Sequence, residues 1–188
     1  MNFKTIAAVL VASVSLSLSA EMKLGTVDLM MLVKNHPNYD SNKTLLKSTD
    51  KDYQKKLEVI KSEGDKLQEE GKKLMEQMRN PMLTAKAKSD VEKQLTDLQQ
   101  KLIGIEQRYH SEAMRCRKDL QDLEGRLLKT TTDDLRKRIA KYAAAKGYDM
   151  IFDANAAAYA TKTLDVTDDM LKELGVDPKE AKGRDEGK

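Results

Sequence analysis

The residues best suited to molecular recognition lie around one internal proline, Pro81. Three methionines, Met75, Met78 and Met82, are close to it in sequence. Methionine is unbranched and polarisable, so its side chain adapts to many apolar partners. The pattern therefore indicates a surface that makes weak, adaptable contacts. The alternative is that the three side chains fill irregular packing at a turn.

Positive charge is concentrated around the same proline. Residues 72–93 contain six Lys and Arg residues against three acidic ones, a net charge of +3. The basic residues nearest to the proline are Lys72, Lys73, Arg79, Lys86 and Lys88. Such a cluster would attract acidic chains or an anionic lipid surface over a long range. The alternative is an ordinary solvated helix face.

The sequence contains no recognisable catalytic or metal-binding motif. His36 and His110 lack the Cys/His clustering of a zinc site. Gly71 and the two lysines after it lack the glycine spacing and the hydroxyl of a phosphate-binding loop. No serine lies in a nucleophile-elbow motif. We therefore expect a protein that is not an enzyme and that needs neither metal nor cofactor.

Composition favours long helices over one globular core. The 188 residues are 35% charged and 4% aromatic, and there is no Trp. Apolar residues that are few but regularly spaced suit helices that pack along a narrow seam. The single cysteine, Cys116, cannot form an internal disulfide. Its position on the seam predicts a small buried hydrophobic residue.

Residues 1–20 predict a cleaved secretory signal. Lys4 precedes an uncharged apolar run from Ile6 to Leu18, and small residues follow it. The run is shorter than the about 20 residues of a transmembrane helix. We expect cleavage after Ser19 or Ala20, and a mature protein outside the cytoplasm.

Residues 42–146 predict a helical-hairpin arm with its turn near Pro81. A heptad pattern of apolar residues, typical of a coiled coil, precedes the proline and resumes after it. Pairing the helices outward from Pro81 reaches only about Lys118. The rest of the second helix is expected to pack on the base of the arm or on neighbouring subunits. The candidate N-caps are Asp40, Ser41 and Asn42 for the first helix, and Thr84 or Ser89 for the second.

Two glycines, Gly64 and Gly71, occupy successive seam positions where leucine would be expected. Each weakens a helix by up to about 1 kcal/mol relative to alanine, which predicts flexibility and a bend in the arm. Alternatively, the missing side chains allow two helices to approach closely. Threonines 130–132 are a further candidate for a kink or a new cap in the second helix.

Residues 21–41 and 147–175 predict a small β-containing base. A strand from Met22 runs into a helical turn, Leu29–Lys34, and the helix of the arm ends at Gly147. Further strands are predicted at 148–153 and 164–166, with 157–160 pairing back as a hairpin. Thr167–Asp169 would cap a last helix, and residues 176–188 would form a flexible tail. So small a unit rarely folds alone, which predicts oligomerisation.

The order of these segments resembles the Skp (OmpH-like) periplasmic chaperones of Gram-negative bacteria. The resemblance rests on Lys-Leu-Gly-Thr-Val-Asp at 23–28, on 148–159 and on Leu-Asp-Val-Thr at 164–167. It implies a mainly α fold in which long antiparallel hairpin arms project from a small β-rich trimerisation domain. Unfolded outer-membrane proteins would be held between the arms without ATP. The residues assigned to the trimeric base are Val27, Leu29, Ile151, Phe152, Asp153, Asn155 and Tyr159.

Two other functions fit parts of the pattern. A structural coiled-coil protein of the envelope would explain the arm, although its seam should not be interrupted by Gly64 and Gly71. A nucleic-acid-binding protein would explain the basic arms, but aromatic stacking residues are scarce and the total net charge is only +3. We therefore predict a homotrimeric, ATP-independent holdase of the periplasm.

Overall fold

A long helical hairpin and a small mixed base make up the part of the chain that the structure describes. This computed structural model describes residues 22–186, so the predicted signal peptide lies outside the described residues. In chain order the elements are β1 (Leu24–Val27), α1 (Leu29–Lys34), α2 (Tyr39–Met78), α3 (Ala85–Lys146), β2 (Met150–Asp153), α4 (Thr167–Glu173) and α5 (Pro178–Glu186). Helices α2 and α3 form the arm, and the remaining elements form the base.

The hairpin turn lies between α2 and α3, where the sequence predicts it. The side chain of Asn80 accepts a hydrogen bond from the backbone N–H of Met82 at 3.0 Å. Thr84 then caps α3, because its hydroxyl accepts from the N–H of Ala87 at 3.3 Å. Of the two predicted caps for the second helix, Thr84 is therefore the one used.

The predicted N-caps of the first helix, Asp40, Ser41 and Asn42, are wrong. Helix α2 begins earlier, at Tyr39, and the preceding Asn38 makes no capping side-chain bond. The N–H of Tyr39 donates to the carbonyl of His36 at 2.8 Å. The turn after α1 thus leads directly into the long helix, and the three polar residues lie within its first turn.

The two arm helices differ greatly in length. Helix α2 has 40 residues and α3 has 62, or about 60 and 93 Å at 1.5 Å per residue. Asn42 lies 3.5 Å from Thr131 across the hairpin, so the pairing extends beyond the predicted limit near Lys118. The turn between the helices continues to Thr84. The midpoint about which residues of α2 and α3 pair therefore lies after Pro81 in the sequence. Helix α3 is also continuous through threonines 130–132, without the predicted kink or new cap.

The last part of α3 packs into the base, as predicted for the unpaired end of the second helix. The base core consists of side chains from β1, α1, α3 and the C-terminal helices. Its buried members are Val27, Leu32, Leu135, Tyr142, Val166, Met170, Leu171, Leu174 and Ala181. Because residues from both ends of the chain share this core with α3, the arm and the base form one packed structure.

The sheet is smaller than the sequence analysis predicts. Strands β1 and β2 are parallel, with Leu24 opposite Met150 and Val27 opposite Asp153. Residues 157–160 do not pair back, because a short 3-10 turn at Ala154–Ala156 leads the chain away from β2. The predicted strand at 164–166 is reduced to one bridge between Thr26 and Asp165. Asp165 ends it by accepting from the N–H of Thr167 at 2.8 Å, which starts α4.

The end of the described chain is helical, whereas the sequence analysis predicts a flexible tail. Helix α5 places Ala181 in the base core with almost no exposed surface. The ammonium group of Lys182 lies 2.9 Å from the carboxylate of Asp168 on α4. One small apolar residue in a polar segment was too weak a signal to predict this packing.

A tyrosine cluster joins the end of the arm to the base. The hydroxyl of Tyr142 donates to Asp169 at 2.9 Å, and the rings of Tyr142 and Tyr148 stack 5.9 Å apart. The Lys23 ammonium group lies 4.2 Å from the centre of the Tyr148 ring. Burial, together with the bond to Asp169, raises the pKa of Tyr142 to about 12.

The Tyr142 hydroxyl should make folding stability sensitive to alkaline pH. Its pKa is near 10 in an unfolded chain and higher in the folded one, so its contribution is complete below pH 10. That contribution, roughly 3 kcal/mol at most, should disappear between pH 10 and 12. Denaturant unfolding of wild type and Tyr142→Phe across this range measures it. The free energy of unfolding should fall more steeply in wild type, and parallel curves would contradict the assignment.

Candidate functional site at the arm tip

The three methionines near the turn do not share one environment. Met82, in the turn itself, is 87% exposed, and Met75 on α2 is 60% exposed. Met78 instead packs against the buried residues Leu74 and Val91. The packing interpretation therefore holds for Met78, while client contact by Met75 and Met82 stays a prediction. Met78 fills the packing at the tip, while Met75 and Met82 present apolar surface to the surroundings.

The predicted basic cluster lies on the same end of the arm. Lys72, Lys73, Arg79, Lys86 and Lys88 are all exposed. Lys72 bonds to Glu69 within α2 at 2.5 Å, and this contact raises the pKa of the lysine and lowers that of the glutamate. The tip thus combines exposed thioethers with exposed positive charge, a surface suited to apolar chains that carry acidic groups.

The seam glycines allow the arm helices to pack closely. Gly64 and Gly71 are both buried, and α2 continues through them without interruption. A Cβ atom at Gly64 would lie 3.3 Å from Cγ2 of Ile105, and one at Gly71 would lie 3.2 Å from Cδ2 of Leu98. These contacts support the close-approach interpretation. Flexibility at Gly64 and Gly71 stays a prediction.

Ion pairs between the two arm helices were missed by sequence reasoning. Lys56 bonds to Glu112 at 2.5 Å, and Arg108 bonds to Glu63. The sequence analysis did not predict them because cross-arm partners depend on the register of the hairpin. Cys116 lies one turn after Glu112 and is buried, as predicted. Burial raises the pKa of its thiol, which disfavours the reactive thiolate.

His36 has a structural position that its sequence context did not reveal. It is buried, and its Nδ1 accepts from the N–H of Asn38 at 3.1 Å. The other ring nitrogen, Nε2, therefore carries the hydrogen and donates to Asp134 at 3.1 Å. Arg138 and then His36 lower the pKa of Asp134 through their hydrogen bonds. This contact connects the turn before α2 to the last part of α3.

The predicted base residues divide into core and surface. Val27 is buried, and Leu29 and Ile151 pack against the same core. Phe152 and Tyr159, at 44% and 83% exposure, lie with Leu24 along an open groove of about 320 Å³. Asp153 accepts from the N–H of Asn155 at 3.1 Å, which makes both residues part of a local turn.

The described residues, 22–186, contain neither a candidate metal site nor a candidate membrane-spanning helix. No group of three or more His, Cys, Asp or Glu side chains there is arranged to hold a metal ion. Among the same residues, no helix combines the length and the apolar character that crossing a bilayer requires.

Comparison with known families decides the identity of the chain. Residues 23–174 match the family model described as outer membrane protein (OmpH-like). The chain belongs to this OmpH-like family. The OmpH-like family consists of periplasmic chaperones for outer-membrane proteins. The match confirms the resemblance found in the sequence. A search of curated proteins found no match.

The family match covers the arm and most of the base of this OmpH-like protein. It ends at Leu174, so α5 lies beyond the matched residues. The tip, the seam glycines and β2 all lie within them. The surfaces described above therefore belong to the part of the chain that the family model represents.

A leucine at Gly71 should force the arm helices apart. Overpacking costs about 1–3 kcal/mol, which exceeds the about 1 kcal/mol gained by replacing a helical glycine. The matched control is Gly125→Leu, because Gly125 is exposed on α3 with no neighbour within 4 Å. Thermal unfolding followed by circular dichroism should show a lower Tm for Gly71→Leu and an unchanged or higher Tm for the control. Equal shifts would mean that the seam has room at Gly71.

Proposed function

We propose that this OmpH-like protein is an ATP-independent holdase of the periplasm. It binds unfolded outer-membrane proteins in a cavity between the arms of a homotrimer and prevents their aggregation. The observation that carries the proposal is the exposed tip, where thioethers and positive charge meet far from the base core. The family match supports the class of client.

The physical properties of the tip suit temporary binding. The apolar strands of an unfolded barrel must be shielded from water, but tight complementary packing would prevent release of the barrel. Methionine gives adaptable apolar contact without a fixed shape, and the basic residues add attraction that acts before contact. Neither interaction consumes nucleotide. The client would therefore be released when its folding into the membrane competes with its binding to the tip. The positive tip would also attract an anionic lipid or lipopolysaccharide surface.

The base has surface suited to association with its own copies. Met150 and Phe152 on β2 are exposed, although both are large and apolar. Strand β2 pairs with β1 on one side only within the described residues. A second open groove, of about 530 Å³, runs between β2 and α3 and is lined by Leu29, Ile139 and Ile151, among others. Grooves and an unpaired strand edge of this kind favour burial in an oligomer.

The holdase activity can be tested with purified mature protein. A urea-unfolded outer-membrane barrel is diluted into nucleotide-free buffer, and light scattering reports its aggregation. We expect the protein to keep the barrel soluble at one trimer per barrel. A structural coiled-coil protein would leave aggregation unchanged, and that result would overturn the proposal.

The trimer should depend on the exposed face of β2. A glutamate at Phe152 would place a charge in a buried interface, whereas in the single chain the side chain is 44% exposed. Sedimentation velocity should give three chains for wild type and a smaller assembly for Phe152→Glu. Ile103→Glu is the control, because Ile103 on α3 is 49% exposed and lies away from the base. A monomeric wild type, or a trimeric Phe152→Glu, would contradict the proposed interface.

The basic tip should speed client capture. Replacing Lys72, Lys73, Lys86 and Lys88 with glutamine should slow association about tenfold at low salt and flatten its salt dependence. The control removes the same charge near the arm root. The four exposed lysines of the control are Lys43, Lys47, Lys51 and Lys55, all in the half of α2 nearer to the base. Stopped-flow measurements with a fluorescent client would compare the two variants, and equal association rates would argue against steering by the tip.

A further inference from the structure

The tip exposes two methionine side chains and partly buries a third. Asn80 accepts backbone N–H bonds from Met82 at 3.0 Å and from Leu83 at 3.2 Å, which fixes the turn that carries Met82. Met82 is 87% exposed and Met75 is 60% exposed. Met78, between them in sequence, packs against the core of the tip. Reagents in solution therefore reach the thioethers of Met75 and Met82 more readily than that of Met78.

Exposed thioethers react with electrophilic two-electron oxidants such as hypochlorous acid. The sulfur attacks the electrophilic chlorine and its lone pair becomes the S–Cl bond, while the O–Cl bond breaks. The hydroxide that leaves chlorine takes up a proton and becomes water. A water molecule then forms the S–O bond as chloride leaves and gives up two protons, so the net products are a sulfoxide, chloride and one proton. Sulfur is oxidised by two electrons and chlorine(I) is reduced to chloride. The product is polar where the thioether was apolar.

We propose that Met75 and Met82 are an oxidative modification site that controls how long the tip holds an apolar chain. The proposal rests on the holdase function proposed above. Sulfoxides at the tip weaken apolar contact with a bound client. The charges of Lys72, Lys73, Lys86 and Lys88 are unchanged by the reaction, so attraction of the client persists. Oxidation therefore accelerates release and leaves capture intact, and sulfoxide reductases of both stereospecificities reverse the change.

The arm supplies a matched control in Met114. This residue of α3 is 73% exposed, so it should be oxidised as readily as the tip methionines. It lies 29 positions after Ala85, the first residue of α3, or about 44 Å along the helix. Exposure is thus similar at both places, whereas Met114 lies far from the tip.

The experiment compares wild type, Met75→Leu/Met82→Leu and Met114→Leu. Leucine keeps the apolar surface and cannot form a sulfoxide. Each chaperone is treated with hypochlorous acid, quenched with free methionine and desalted before an unfolded, fluorescent outer-membrane barrel is added. Peptide mass spectrometry should find Met82 and Met75 oxidised faster than Met78. Sedimentation velocity verifies that the native mass of each oxidised sample is unchanged.

Client dissociation is the deciding measurement. Oxidised wild type and oxidised Met114→Leu should release the client about tenfold faster than untreated protein, with association rates unchanged. Met75→Leu/Met82→Leu should release the client at one rate before and after oxidation, whatever that rate is relative to wild type, and reductase treatment should return oxidised wild type to its own untreated rate. Equal release by oxidised and untreated wild type would overturn the oxidation proposal, and so would acceleration in the double variant. Either result would leave the holdase proposal intact. If untreated wild type does not bind the client, the holdase proposal fails together with the oxidation proposal.

Discussion

The arm depends on the burial of the last part of α3 in the base. Leu135 on α3 and Leu32, Met170 and Leu171 from the base have no exposed surface. An isolated pair of helices gains most of its stability from packing, so a hairpin without this anchor would move freely at its root. The contacts of Tyr142 with Asp169 and of His36 with Asp134 add directional bonds at the same place.

Above the root, the arm is stabilised by a narrow seam instead of a core. Buried glycines bring the backbone of α2 close to side chains of α3, which leaves little freedom to slide. The cross-arm ion pairs, Lys56 with Glu112 and Arg108 with Glu63, are partly exposed and contribute little energy. Their effect is to favour one register of the hairpin. That register places Met75 and Met82 at the end of the arm.

Exposed apolar side chains at the two ends of the molecule have different surroundings. At the tip they are methionines among lysines, a combination that tolerates water and adapts to changing partners. At the base, Phe152 on β2 lies by a groove, and a shaped apolar surface of this kind is suited to a permanent partner. This contrast connects the proposed assembly at one end with proposed temporary binding at the other.

The sequence by itself determined the arm, its turn near Pro81 and the positions of the tip residues, because heptad spacing and proline act locally. It also predicted the burial of Cys116 and the packing of the end of α3 on the base. Only the tertiary structure decided that Met78 is packed while Met75 and Met82 are exposed. It also determined that Gly64 and Gly71 contact α3, and that α5 closes the core. Each of these outcomes depends on neighbours distant in sequence, which local propensity does not encode.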